Sequence, residues 1–189
     1  MSAEYIVSLM SRDRVGIVAD VSRALTGLGG NITDLSQTLL RGYFTLIISV
    51  EIPDGVGPEQ IQAAVTQAGA PNEFIVGVKM YQPQAPIAEV SAERYVLTTR
   101  GGDKPGIIAR VTSYLAGQGI NIEDFYARVV TGDLLMILQV AVPAGFNVHQ
   151  IKTDIEQVGR EFGLSVHLQH ENIFRVTNEV RAVRELRRE

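Results

Sequence analysis

Two stretches of this chain have residue types and spacing that can do chemistry, Asp13-Arg14-Val15-Gly16-Ile17 and Asp103-Lys104-Pro105-Gly106-Ile107. In each, an acid stands three residues before a glycine, and an apolar periodic segment follows at once. Free N–H groups at the start of a helix make a site for an anion such as a carboxylate. Gly16 and Gly106 let the backbone come close to a ligand or to a neighbouring strand. Asp13 and Asp103 can cap the helix or accept hydrogen bonds from a ligand ammonium group. The residues alone leave both readings open. Pro105 suits a first helical turn, which tolerates a missing N–H.

A second motif is Asn31-Ile32-x-Asp34, matched by Asn121-Ile122-x-Asp124. It follows Gly29 and Gly119, which are placed to end a helix in a left-handed cap. Asn serves equally as a turn residue leading into a strand. Asp34 and Asp124 fall, by alternation, on the sheet face away from Leu35 and Phe125, near an edge strand, where a solvated acid is the plain alternative to a functional one.

Other chemistries find little support. The chain has no cysteine, which rules out disulfides, thiolate zinc sites, iron–sulfur clusters and Cys nucleophiles. His149, His167 and His170 lack metal-ligand spacing, and His167 and His170, three apart on a strand, point to opposite faces. No serine sits in a G-x-S-x-G setting, and Arg100-Gly101-Gly102-Asp103 is a loop rather than a phosphate cradle. No catalytic residue, metal or cofactor is expected. A net charge of −4 argues against nucleic-acid binding through overall basicity. The start MSAEYIVSLM carries no cationic stretch ahead of an apolar one, and no apolar run approaches the roughly 20 residues that span a bilayer. The expectation is a cytoplasmic protein without membrane attachment.

The elements that must position these motifs come from a repeat. Residues 13–34 and 103–124, at an offset of 90, are identical at eleven of 22 positions. The register continues through Gly42/Gly132, Val50/Val140, Pro53/Pro143 and Ile61/Ile151. Within each copy, period-2 and period-3.6 patterns alternate. The first copy reads as a strand at 4–10, a helix at 15–28, strands at 31–40 and 43–51, a helix around Ile61, Ala64, Val65 and Ala68, and a strand at 72–81. Arg41-Gly42 and Thr131-Gly132 mark tight hairpins that need positive φ. The second copy ends with a helix carrying Val148, Ile151, Ile155, Val158 and Phe162 and a strand at 164–171. The fold expected is α+β: two ferredoxin-like βαββαβ domains, 1–81 and 93–171, joined by a linker at 82–92.

Phe44, Leu46, Ile48 and Val50, with Leu134, Met136, Leu138 and Val140, should face the helices. The other face still holds Ile6, Met10 and Ile47, and Val96, Leu135 and Ile137, too apolar to be fully wet, so a helix or second subunit should cover part of it. Residues 172–189 read as a C-terminal amphipathic helix with Ile173, Val176, Val180 and Val183 on one stripe, expected to pack on the sheet or on a partner.

The pattern D-R-x-G-I-V-A-x-V-S-x-A-L-x-x-x-G-x-N-I-x-D resembles the ACT domain, the amino-acid-sensing regulatory module of metabolic enzymes. With the strand continuing as LSQT at 35–38, and with two copies in tandem, the chain looks closest to the glycine cleavage system transcriptional repressor family. It is also similar to the ACT segment, and not the catalytic domain, of formyltetrahydrofolate deformylase. The resemblance implies sheets that pair side by side, with small molecules bound where the first loop of one domain meets the second strand of its neighbour. One site would then use Asp13, Gly16 and Ile17 with Asn121 and Asp124, and the other Asp103, Gly106 and Ile107 with Asn31 and Asp34. The copies depart from one another at Val15/Pro105, Ser36/Tyr126 and Thr38/Arg128, so the two sites are not expected to be equivalent.

The leading expectation is a regulatory protein that senses an amino acid or similar metabolite and changes its association with a protein partner, as a homodimer or other self-associated form. Two alternatives stand behind it: an interaction module without a ligand, acting as an accessory repressor, and direct DNA binding through Arg181, Arg184, Arg187 and Arg188.

Overall fold

A computed structural model describes residues 2–83 and 92–174 of the chain. The chain divides into two compact units, Met1–Ala85 and Pro86–Glu189. The first runs β1 (Ser2–Arg12), α1 (Ile17–Gly27), β2 (Asn31–Leu40), β3 (Tyr43–Pro53), α2 (Pro58–Gln67) and β4 (Ile75–Met80). The second repeats the order with β5 (Ala92–Gly102), α3 (Ile107–Gly117), β6 (Asn121–Val130), β7 (Asp133–Pro143), α4 (Val148–Phe162) and β8 (Ser165–His170). Each unit forms one antiparallel sheet, ordered β2-β3-β1-β4 and β6-β7-β5-β8.

The cores follow the two periodicities. In the first unit Val7 and Leu9 of β1 and Leu46, Ile48 and Val50 of β3 lie against Ile17, Val21 and Leu25 of α1 and Ile61 and Val65 of α2, all buried. The second unit uses Leu97, Met136, Leu138 and Val140 with Ile107, Val111, Leu115, Ile151 and Ile155. Among the described residues none belongs to both cores. Truncating any one of these leucines or isoleucines to alanine costs about 2–5 kcal/mol in a close-packed interior.

The expected tight hairpins are present, and the strands carry further irregularities. Both hairpins are two-residue turns with left-handed φ at each central residue, 50° at Arg41 and 79° at Gly42, and 50° at Thr131 and 87° at Gly132. The last strand of the first unit is shorter than 72–81, because Asn72 adopts φ 61° and breaks the extended backbone before Ile75. The edge strands β2 and β6 each carry a bulge between Ile32 and Asp34 and between Ile122 and Asp124. The extra residue lets Ile32 and Ile122 turn to the core while Asp34 and Asp124 face outward, opposite Ser49 and Gln139.

On the sheet face away from the helices, Met10 is 40% and Ile47 is 55% exposed, whereas Val96 in the second unit is 2% exposed. Residues 171–174 form a helical turn. The rest of the expected C-terminal helix, with Val176, Val180, Val183 and the four arginines from Arg181 to Arg188, lies outside the described residues, as does linker 84–91.

Candidate functional site

The two strand-to-helix junctions follow the same backbone course, except that only in the second does a loop N–H, that of Ile107, donate to a carbonyl of its own loop, that of Lys104 at 3.4 Å. Gly16 and Gly106 are the N-caps of α1 and α3, at φ 94° and φ 90°, a left-handed conformation that a side chain would strain. No side chain caps either helix. The reading of Asp13 and Asp103 as caps is therefore corrected. They stand three residues ahead of the N-cap, and a capping side chain must come from the N-cap itself to reach the N–H groups of the next turn. Their main chains serve instead to tie the loop down: the Asp13 N–H donates to the Gly42 carbonyl at 3.0 Å, and the Asp103 N–H to the Gly132 carbonyl at 3.0 Å. Pro105 likewise precedes the N-cap and is not part of the first helical turn.

At the other end of each helix the left-handed cap is present, Gly29 at φ 77° and Gly119 at φ 66°. The Gly30 N–H returns to the Leu25 carbonyl at 2.9 Å, and Ile120 does the same to Leu115 at 2.9 Å. Asn31 and Asn121 then open the edge strands. The Asp34 carboxylate accepts the N–H of Leu35 at 2.8 Å, and that of Asp124 accepts the N–H of Phe125 at 2.9 Å, which fixes each acid at its bulge. A cavity of about 400 Å³ opens beside α3, lined by Thr112, Ser113, Ala116, Ile120, Asn121 and Ile122.

Within either unit these two groups of residues do not meet. The loop residues Asp13, Gly16 and Ile17 sit at the N-terminal end of α1, beside the hairpin turn. Asn31 sits past the other end of that helix, whose 11 residues span about 16 Å. The same separation holds for Asp103, Gly106 and Ile107 against Asn121 and Asp124. Ser36/Tyr126 and Thr38/Arg128 lie on the outward face of the edge strands, opposite Ile47/Ile137 and Thr45/Leu135.

The structure adds a network around Arg14 that the motifs did not contain. The Arg14 guanidinium, in the first loop, donates through Nε and Nη2 to the Glu73 carboxylate and through Nη1 to Asp20, the last at 2.8 Å. Its centre is 5.6 Å from the centroid of the Phe74 ring. Asp20 is also paired with Arg23, and Glu73 accepts the Ala70 N–H at 2.6 Å. Hydrogen bonding to Arg14, and then to the Ala70 backbone, holds the Glu73 carboxyl below its usual range. The same contacts with Glu73 and Asp20 hold the Arg14 guanidinium above its own. At the repeat offset, position 73 is an acid in the first copy and Gly163 in the second.

His167 and His170 lie opposite Thr98 and Tyr95, on opposite faces of β8. Among the described residues no three histidine, aspartate or glutamate side chains gather to hold a metal. No described helix is long and apolar enough to cross a membrane.

Against known proteins, the ACT domain profile matches residues 4–79 and again residues 93–169. A UPF0237 protein of Methanopyrus kandleri is 34% identical over 88 residues, 46% of this chain and 98% of its own length. A UPF0237 protein of Methanococcus maripaludis is 34% identical over 89 residues, 47% of this chain and 99% of its own. Such relatives are one unit long. A crystal structure of an unknown protein from Galdieria sulphuraria superposes with a TM-score of 0.73 at 27% identity, covering 90% of this chain and 99% of that one. A structure bearing the name of a glycine cleavage system transcriptional repressor shares the fold, with a TM-score of 0.66 at 18% identity and coverage of 89% and 97%.

Proposed function

The chain belongs to the ACT domain family, and from that premise we propose that it is a regulatory protein that binds a small metabolite, an amino acid by class, and thereby changes its association with a protein partner. The observation that carries this reading is the pair of glycine N-caps. Each places a left-handed glycine and an uncapped helix N-terminus next to an aspartate, an arrangement suited to an α-carboxylate and an α-ammonium group together. The ligand residues proposed are Asp13, Gly16, Ile17, Asp103, Gly106 and Ile107. Asn31, Asp34, Asn121 and Asp124 would act from the second strand of an adjoining ACT sheet. Two facts support that assignment: the loop and strand residues lie at opposite ends of a helix in each unit, and the edge strands β2 and β6 are exposed along most of their length. Exposed edges of this kind invite pairing with another sheet, which fits self-association as a homodimer.

Ligand binding shifts a partner equilibrium only through different affinity for its two states. Transcriptional control of amino-acid metabolism is the setting we propose, without catalysis, in the cytoplasm. Calorimetry and thermal melts with the twenty protein amino acids test the reading. At least one should raise the melting temperature in proportion to the logarithm of its concentration. No response from any of the twenty would remove the sensing function.

A second reading, an interaction module without a ligand, draws on the apolar outward face of the first sheet, where Met10, Ile47 and Ile75 are 40%, 55% and 65% exposed. It expects Asp13→Ala and Asp103→Ala to leave partner binding intact, whereas a sensor should lose its metabolite response.

A further inference from the structure

Matched at the offset of 90, the two junctions differ in what lies over the glycine. In the first, a Cβ built on Gly16 would meet Arg14 Nη1 at 3.6 Å, so the guanidinium covers the start of α1. In the second, a Cβ built on Gly106 would meet nothing within 4 Å. The cause is traceable to residue types. Arg14 and Lys104 reach toward the same place in their own units, the turn before the last strand. There Arg14 finds the Glu73 carboxylate, itself fixed by the Ala70 N–H. Lys104 finds Gly163, its Nζ 3.9 Å from where a Cβ would sit, and pairs with no carboxylate among the described residues. The second anchor also changes sign. Asp20, which holds Arg14 Nη1, corresponds to Arg110, whose guanidinium pairs with Glu161 at 3.4 Å.

We propose that Arg14 is a clasp that closes the first loop, and that the second loop, which has no clasp, is the one that admits the ligand, so that of the six loop residues assigned above only Asp103, Gly106 and Ile107 are used. The second half of this rests on the sensing reading above; the first half does not. A cation fixed at a helix N-terminus opposes the helix dipole and is tolerated here because two carboxylates surround it. Those carboxylates in turn repel an incoming ligand carboxylate. At α3 nothing lies within 4 Å of a Cβ placed on Gly106, the first-turn carboxylate is replaced by Arg110 paired with Glu161, and Lys104 is left as a positioning cation for an anionic group. The bidentate fork of Arg14 also explains why the copies carry Arg and Lys at this position. Only the guanidinium grips a carboxylate through two parallel bonds.

Amide hydrogen exchange of the full chain reads the clasp without any ligand. After correction for intrinsic rates, Gly16 should exchange several-fold more slowly than Gly106; Ile17 and Ile107 are not compared, because only the Ile107 N–H donates to a loop carbonyl, that of Lys104 at 3.4 Å. Arg14→Ala, and independently Glu73→Gln, should bring Gly16 up to the rate of Gly106. Lys104→Ala should leave both glycines unchanged. Equal exchange at the two junctions in the unaltered chain overturns the clasp. Titration of the chain with each of the twenty protein amino acids reads the ligand half. A binder should bind once per chain, protect Gly106 and Ile107, keep its affinity in Arg14→Ala, and weaken by about tenfold or more in Lys104→Ala, as loss of a charge-assisted hydrogen bond implies. Protection appearing first at Gly16 and Ile17 overturns the assignment of the loops. Binding by none of the twenty overturns the ligand half together with the sensing reading, while the exchange contrast still decides the clasp.

Discussion

Tyr114 and Asp154 bridge α3 and α4, hydroxyl to Oδ2 at 3.3 Å, at the two positions where the first unit has Ala24 and Ala64. The same helix pair thus carries a polar bridge in one copy and an alanine at each of the two positions in the other. Tyr114→Phe removes the hydrogen bond and keeps the ring. The second unit should lose about 1 kcal/mol, the worth of a partly buried hydrogen bond, while the first is unaffected. Urea unfolding followed by probes placed in each unit measures it; an equal loss in both units would contradict the assignment.

The same tyrosine makes the second unit sensitive to alkali. Burial, reinforced by Asp154, pushes the Tyr114 hydroxyl up to about 12, and burial with Glu93 pushes Tyr95 up to about 12. Both exceed the ordinary value of 10.0. A raised folded pKa means that the stabilisation is fully present below pH 10 and is lost as the pH climbs through 12. Melting temperatures recorded across this window should fall for the wild type. The fall should be shallower in Tyr114→Phe, and phenolate absorbance should report the ionisation as the fall occurs.

Thr99 is fully buried on β5, and its Oγ1 has no hydrogen-bond partner among the described residues, whereas the first unit has Leu9 at that place. An orphaned hydroxyl in an apolar interior costs about 1–3 kcal/mol. Thr99→Val, which keeps the branched shape, should therefore stabilise the second unit. A lower melting temperature for Thr99→Val would mean that the hydroxyl is satisfied by a bound water.

Thr131 holds φ at 50° in the β6–β7 turn, a region that β-branched side chains avoid. Thr131→Asn creates the Asn-Gly pair that two-residue hairpins of this hand favour. It should stabilise the unit by about 1 kcal/mol in chemical denaturation. No change would show that the turn already relaxes around the threonine.

Much of this architecture was legible because the repeat doubles every signal. The alternation at Phe44, Leu46, Ile48 and Val50 could be checked against Leu134, Met136, Leu138 and Val140, and both rows are buried. Paired glycines announced the left-handed caps at Gly29 and Gly119. Legibility failed where the determinant is a contact between distant positions. Arg14 and Glu73 are 59 residues apart, and neither belongs to a periodic pattern, so their pairing emerged only from the folded chain. The choice between cap and ligand acceptor at Asp13 and Asp103 stayed open in the sequence for a related reason. The residue type was right for capping, but the helix begins at a left-handed glycine three positions later. The bulges at Thr33 and Glu123 left no trace in composition, since one extra residue in an exposed edge strand changes no hydrophobic count.

In both units the last strand pairs with the first, β4 with β1 and β8 with β5. On the ribosome this sets a schedule. The nascent first unit cannot close its sheet until Met80 has left the exit tunnel, since Tyr5 to Met10 wait for residues 75–80. Once they arrive, every strand of the first sheet is available before most of the second unit has been translated, so the first unit can close while the second is still incomplete. Sequential closure therefore guards the tandem copy against the error its likeness invites, a β5 strand taken into the sheet of β1.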